Sequence, residues 1–190
     1  MDNKEKILES ALELFYTKGY DAVGVQEIAD RSGITKPTLY HYFGSKYGLL
    51  ESLIETEYTK FRKALETAAV YDGDLPMTLY RFVSTYFEMA WKNAKFYKLF
   101  MSMLYAGEAS ELHKAVLPYA TDQLNMLTAL FLKAGNIIGN MNGRQEQYAV
   151  TLIGMISHSL LLWLNRNEDV FIGSEKAFAI VHQFLHGIYV

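Results

Sequence analysis

The chain has no cysteine. That removes disulfides, thiolate metal sites and cysteine nucleophiles together, and it suits a reducing compartment. Also missing are an HExxH pair, a glycine-rich phosphate loop and a nucleophile elbow, so the commonest signatures of hydrolases and nucleotide-binding enzymes are absent. The opening residues, MDNKEKILES, lack the apolar core of a secretory leader. The longest apolar stretch, Val150 to Leu164, is broken by Gly154, Ser157, His158 and Ser159 and reads as too short for an ordinary membrane span. The expectation is a soluble cytoplasmic protein with no membrane partner. Acidic residues are missing from one window: none lies between Asp30 and Glu51, where Arg31, Lys36, His41 and Lys46 do. The net charge of -3 does not announce a nucleic-acid binder. This local gap is either a phosphate-facing surface or chance, and charge alone does not decide.

What is present is helical periodicity along almost the whole chain, in 190 residues of which 51% are hydrophobic, enough for a sizeable core. A first helix is expected from Asn3 to Lys18, with Ile7, Leu8, Ala11, Leu12, Leu14 and Phe15 as its apolar stripe and Gly19 as its stop. Two short helices follow near Val25–Arg31 and Thr35–Phe43. A longer one, capped by Ser45, runs toward Ala69. After a turn at Tyr71–Pro76 come helices carrying Leu79, Phe82, Val83, Tyr86 and Phe87, then Lys95–Tyr105, then Pro118–Ala134 with Gly135 as stop. Asn140, Asn142 and Gly143 mark a loop before an apolar helix over Arg144–Asn165. A further loop, Asn165 to Ser174, precedes a last helix whose Ala177, Ile180, Val181, Phe184, Leu185 and Ile188 follow the i, i+3, i+4, i+7 rule. The fold class is all-α: an N-terminal three-helix helix-turn-helix domain, residues 1–47, followed by a C-terminal helical bundle, residues 48–190, for ligand binding and dimerisation.

The segment Val25 to Phe43, VQEIADRSGITKPTLYHYF, carries the sharpest signal. Steeply crossing helices need a small residue at the crossing, and Ala29 is placed there. The turn between them needs a residue that tolerates positive φ, and Gly33 stands four positions on. Thr35 can cap the second helix, and Pro37 fits its first turn. At about 100° per residue, Leu39 and Phe43 point inward together. The opposite face is then centred on His41, with Pro37 and Thr38 beside it, Lys36 and Tyr40 on one edge and Tyr42 on the other. Such a helix can lie in a major groove, small and polar groups toward base edges and hydroxyls and an ammonium toward phosphates.

In the block Ile7 to Leu50 the sequence resembles the TetR family of bacterial transcriptional regulators, of TetR/AcrR type. The matching residues are Gly19-Tyr20, Val25, Ile28-Ala29, Ser32-Gly33-Ile34-Thr35, Thr38-Leu39-Tyr40, Phe43 and Lys46. The resemblance implies that Thr35, Lys36, Pro37, Thr38, Tyr40, His41 and Tyr42 face DNA. It also implies that Lys46 contacts phosphate at a helix N-terminus, with Gln26 as an edge contact. Gly24 departs from the family's usual threonine and supplies no hydroxyl. The function implied is that of a ligand-responsive repressor, released from a palindromic operator by a small, largely apolar effector.

Two short reading helices must act in tandem, roughly 34–36 Å apart or a multiple of it, so a homodimer is expected. Leu152, Ile156, Leu160 and Trp163 on one late helix, and Ile180, Phe184 and Leu185 on the last, are the expected four-helix interface, unless they only fill the monomer core. The middle of the chain is dense in large soft side chains. Tyr58, Phe61, Tyr86, Met89, Met101, Tyr105, Met126 and Met155 are the expected effector lining, with ordinary core as the alternative for each. A lipophilic cation is a further option, neutralised by Glu88 or Glu108. No cofactor or metal is expected. His182 and His186 share a helix face, but no carboxylate or cysteine nearby completes a site. The alternatives are a helical protein-interaction module or a helical enzyme without DNA binding, and salt-dependent retention on DNA separates the first from a regulator.

Overall fold

The structure, a computed structural model, describes residues 2–135, 141, 143–166 and 173–187. Among these it contains helices and turns and no strand. The helices are α1 (Asn3–Lys18), α2 (Val25–Ser32), α3 (Lys36–Phe43), α4 (Lys46–Ala68), α5 (Leu75–Lys92), α6 (Ala94–Leu104), α7 (Glu111–Ala134), α8 (Gln145–Leu164) and α9 (Gly173–His186). Asn140, Asn142 and Ile188, and residues 167–172 of the last expected loop, lie outside the described residues.

Helix ends fall close to where the side chains ask for them. Asp2 and Glu5 form a reciprocal capping box on α1, the Asp2 carboxylate accepting from the Glu5 amide at 2.8 Å and Glu5 from the Asp2 amide at 3.0 Å. Asp74 accepts from the Met77 amide at 2.9 Å and starts α5, with Pro76 in the first turn where its missing N–H is not needed. One boundary differs. Pro118 was expected to begin a helix but lies inside α7, which starts seven residues earlier at Glu111. Ser110 starts the helix instead, its hydroxyl accepting from the Leu112 amide at 3.2 Å, and an exposed proline is carried at the cost of one helical hydrogen bond.

Packing groups the chain into two compact units. One comprises Met1–Thr59 with Lys95–Leu117, the other Lys60–Ala94 with Pro118–Val190. The first holds α1 to α3, the start of α4, α6 and the start of α7. Its core is Ile7, Leu14, Phe15, Ile28, Ala29, Leu39, Leu49, Leu50 and Leu53, each at most 3% exposed. Tyr58 stacks on Phe100 with centroids 6.5 Å apart, and Lys95 pairs with Glu13, holding that carboxyl below its usual range. Both contacts tie α6 into the unit that contains the helix-turn-helix. The second unit is centred on α5, packed on α9 and α8, with Leu79, Phe82, Val83, Phe87, Leu127, Phe131, Leu152, Ile156 and Leu160 fully enclosed.

Among the described residues, α8 is the one helix that length and mean hydropathy alone would allow to cross a membrane. Its 20 residues exceed the stretch read from sequence. In the second unit its Trp163 meets protein, 5.1 Å from Trp91 and 5.8 Å from Phe87, centroid to centroid.

Candidate DNA-reading site

The site is built on the α2–α3 crossing. Ala29 is wholly buried there, as are Ile28 and Leu39, and Phe43 is 9% exposed. Gly33 closes α2 in the left-handed region at φ 70°, its amide reaching back to the α2 carbonyls. Thr35 caps α3: its hydroxyl lies 3.4 Å from the Thr38 amide and 2.8 Å from the Thr38 hydroxyl. With Leu39 and Phe43 anchored, Lys36, Pro37, Tyr40, His41 and Tyr42 are exposed and Thr38 half-exposed, the orientation the helical spacing requires. Lys36 Nζ lies 5.9 Å from the centre of the Tyr40 ring, and His41 meets Tyr42 edge-on at 6.0 Å.

Around this face, Gln26 is exposed on α2 and donates to Asp30 at 2.7 Å. Gly24 is the N-cap of α2 and makes no side-chain cap; the space where a Cβ would stand is open. Ser45 caps α4 through the Gly48 amide at 2.9 Å. A Cβ on Gly48 would lie 2.2 Å from the Phe43 carbonyl oxygen. Gly48 is therefore what lets α4 start this close to the end of α3, a requirement that spacing alone did not reveal. Lys46, in the first turn of α4, sits 4.2 Å above the Tyr20 ring. Burial pushes the Tyr20 hydroxyl up to a pKa of about 12, and the charge of Glu111 adds to the rise. Tyr47 nearby is raised for the same first reason, with Glu51 and Glu111 adding to it.

The expected effector residues fall in both units. Tyr58 and Met101 are buried in the first unit, whereas Tyr105, 66% exposed, points to solvent and lines nothing there. Phe61 and Tyr86 are buried in the second unit, edge to face with centroids 4.8 Å apart. Met89, Met126 and Met155 are half-buried in it. The polar partner that sequence reading missed is Gln123, 5% exposed, whose oxygen accepts from the Tyr86 hydroxyl at 2.8 Å across 37 positions. Tyr86→Phe should cost about 1–3 kcal/mol because it leaves that oxygen buried and unmatched. Adding Gln123→Leu should recover most of the loss, and a urea double-mutant cycle checks it: additive costs would mean the pair is not coupled. Glu88, one of the two carboxylates suggested for a cationic ligand, is paired with Lys92 at 2.6 Å.

The residues expected at the dimer face lie largely inside their own chain. Leu152, Ile156 and Leu160 have no exposed surface, Trp163 only 2% and Ile180 only 7%; Phe184 and Leu185 are half-buried. Side chains already enclosed by their own chain have little to offer a second one. The apolar side chains left uncovered on these helices are Val150 and Leu162 on α8, 51% and 65% exposed, and Phe178 on α9, 63% exposed. His182 and His186 lie on the same exposed side of α9, rings 4.6 Å apart. Among the described residues no three His, Asp or Glu side chains are grouped as metal ligands.

Residues 7–53 match the family described as bacterial regulatory proteins, tetR family. The transcriptional activator FasR of Mycolicibacterium smegmatis is 26% identical over 174 residues, 89% of this chain and 75% of that protein. The transcriptional repressor KstR of Mycobacterium tuberculosis is 26% identical over 175 residues, 88% and 74%. Other regulators are matched over 33–38% of their own length. The crystal structure of the regulator FadR from Bacillus subtilis in complex with stearoyl-CoA superposes with a TM-score of 0.79 over 97% of this chain and 99% of that one, at 18% identity, which shows a shared fold. The anchored, outward-facing α3 falls inside residues 7–53, the segment that matches the tetR family of bacterial regulatory proteins.

Proposed function

We propose that this regulator is a homodimeric repressor that holds a palindromic operator through two copies of α3 and lets go when a small, largely apolar effector binds. The observation that carries the reading is the division of α3 into an anchored side, Leu39 and Phe43, and an exposed side bearing Lys36, Tyr40, His41 and Tyr42. Thr35, Pro37 and Thr38 complete the groove-facing surface, with Lys46 and Gln26 at its borders. The hydroxyl of Thr38 already meets Thr35, so base reading falls chiefly to His41, and phosphate contact to Lys36, Lys46 and the tyrosine hydroxyls.

Dimerisation is assigned to the apolar side chains left uncovered on α8 and α9, Val150, Leu162 and Phe178. For the effector, the second unit offers aromatic and thioether groups, Phe61, Tyr86, Met89, Met126 and Met155. Stearoyl-CoA in the FadR structure supports a long acyl chain as the apolar part. Such a ligand releases DNA only in proportion to its preference for the released conformation over the bound one.

Selection from random duplexes tests the reading. A palindrome with half-sites about one helical turn, or a multiple of it, apart is expected. His41→Ala should relax preference at one base position by about 1–3 kcal/mol. Selection that enriches no motif would sink the reading, and equal weakening on every operator variant would remove His41 from base recognition.

A further inference from the structure

Lys46 is held in an unusual way for a residue assigned to a DNA phosphate. Among the described residues it makes no ion pair, although Glu51 lies one turn and a residue further along α4. Its ammonium rests 4.2 Å over the ring of Tyr20. That ring is itself held in place: it is 7% exposed and packs against Phe15 with centroids 5.1 Å apart. The negative face of an aromatic ring attracts an ammonium. An ammonium has three N–H donors, so one seated on a ring still directs others outward.

We propose that Tyr20 is a positioning residue for DNA binding: its ring, buried and packed on Phe15, holds the Lys46 ammonium in place for a backbone phosphate before DNA arrives. This rests on the operator-binding reading and adds to it. A free lysine loses much rotamer freedom when it docks on a phosphate. A lysine already seated on a ring loses less. Tyr20 therefore contributes to affinity without touching DNA.

The test uses the full chain and a mixed-sequence DNA duplex at several salt concentrations, with Tyr20→Phe, Tyr20→Leu, Lys46→Ala and the double variant Tyr20→Leu/Lys46→Ala. Lys46→Ala should weaken binding and lower the salt slope by about 1 per reading head. Tyr20→Leu should weaken it by about threefold to tenfold with the slope unchanged, because the charge is still there. Tyr20→Phe keeps the ring and should bind within about twofold of the parent. In the Lys46→Ala background Tyr20→Leu should add nothing. In the DNA-free protein, the Lys46 ε-methylene protons should be shifted upfield by the ring, in the parent and in Tyr20→Phe but not in Tyr20→Leu. Fully additive losses, or ε-methylene shifts that ignore the ring, overturn the proposal and leave the operator reading standing. An unchanged affinity and slope in Lys46→Ala removes Lys46 from the contacts and the proposal with it, while a selected palindrome would still support α3.

Discussion

Leu39→Ala should lower the stability of the unit containing the helix-turn-helix by about 2–5 kcal/mol and weaken DNA binding in step with the loss of folded protein. Leu39 has no exposed surface and stands where α3 rests on Ile28 and Ala29 of α2, themselves wholly enclosed. Truncation removes buried methyl groups and leaves a cavity that a short three-helix core has little slack to fill. Domains are stable by only about 5–15 kcal/mol, so the loss is a large share of the total. Exposed positions on the same helix give the contrast: His41→Ala should change stability by no more than about 0.5 kcal/mol while altering base preference. Urea denaturation of both variants, followed beside duplex binding, separates the two faces. If Leu39→Ala melts like the parent, or His41→Ala unfolds, the inward and outward sides of α3 have been assigned the wrong way round.

The second large effect is expected from Leu162→Glu combined with Phe178→Glu. Both positions are more than half exposed in the single chain, so glutamate there costs the fold little. In a dimer joined through α8 and α9, the two substitutions place four carboxylates in one apolar contact, and burying unpaired charge is prohibitive. The variant should sediment as a folded monomer. Its affinity for a palindromic duplex should fall by about 10²–10⁴-fold, the advantage that linking two reading heads confers, while binding to an isolated half-site changes little. Leu152→Glu is the informative partner: with no exposed surface at that position, it should unfold the second unit rather than divide a dimer. A double variant that remains dimeric moves the interface away from the Leu162 and Phe178 stripe.

These experiments probe two kinds of knowledge. The α2–α3 element could be read from the order of residues because its determinants are local. Gly33 at a positive φ, Thr35 as cap, Pro37 in a first turn and Leu39 with Phe43 one turn apart all act within a few positions of one another. The reading fell short where a residue's role depends on something distant. Pro118 looked like a helix start because proline favours that place, yet α7 begins at Glu111 and carries it. The need for glycine at position 48 comes from the Phe43 carbonyl, which leaves no room for a Cβ there. Tyr105 looked like part of an apolar interior and faces solvent.

The amino-acid sequence by itself determined that the chain is helical, where most helices begin and end, and which face of α3 turns outward. Caps, glycine turns and the 3.6-residue period are properties of neighbouring residues, and they hold wherever the segment is placed. Only the tertiary structure decided that α6 and the start of α7 pack with the helix-turn-helix, and that Gln123 answers Tyr86. It alone set Lys46 on Tyr20, and left Leu162 and Phe178 uncovered while Leu152, Ile156 and Leu160 went inside. An apolar stripe says that a helix face will be buried. What buries it, the same chain or another, is fixed by long-range packing, which no local pattern encodes.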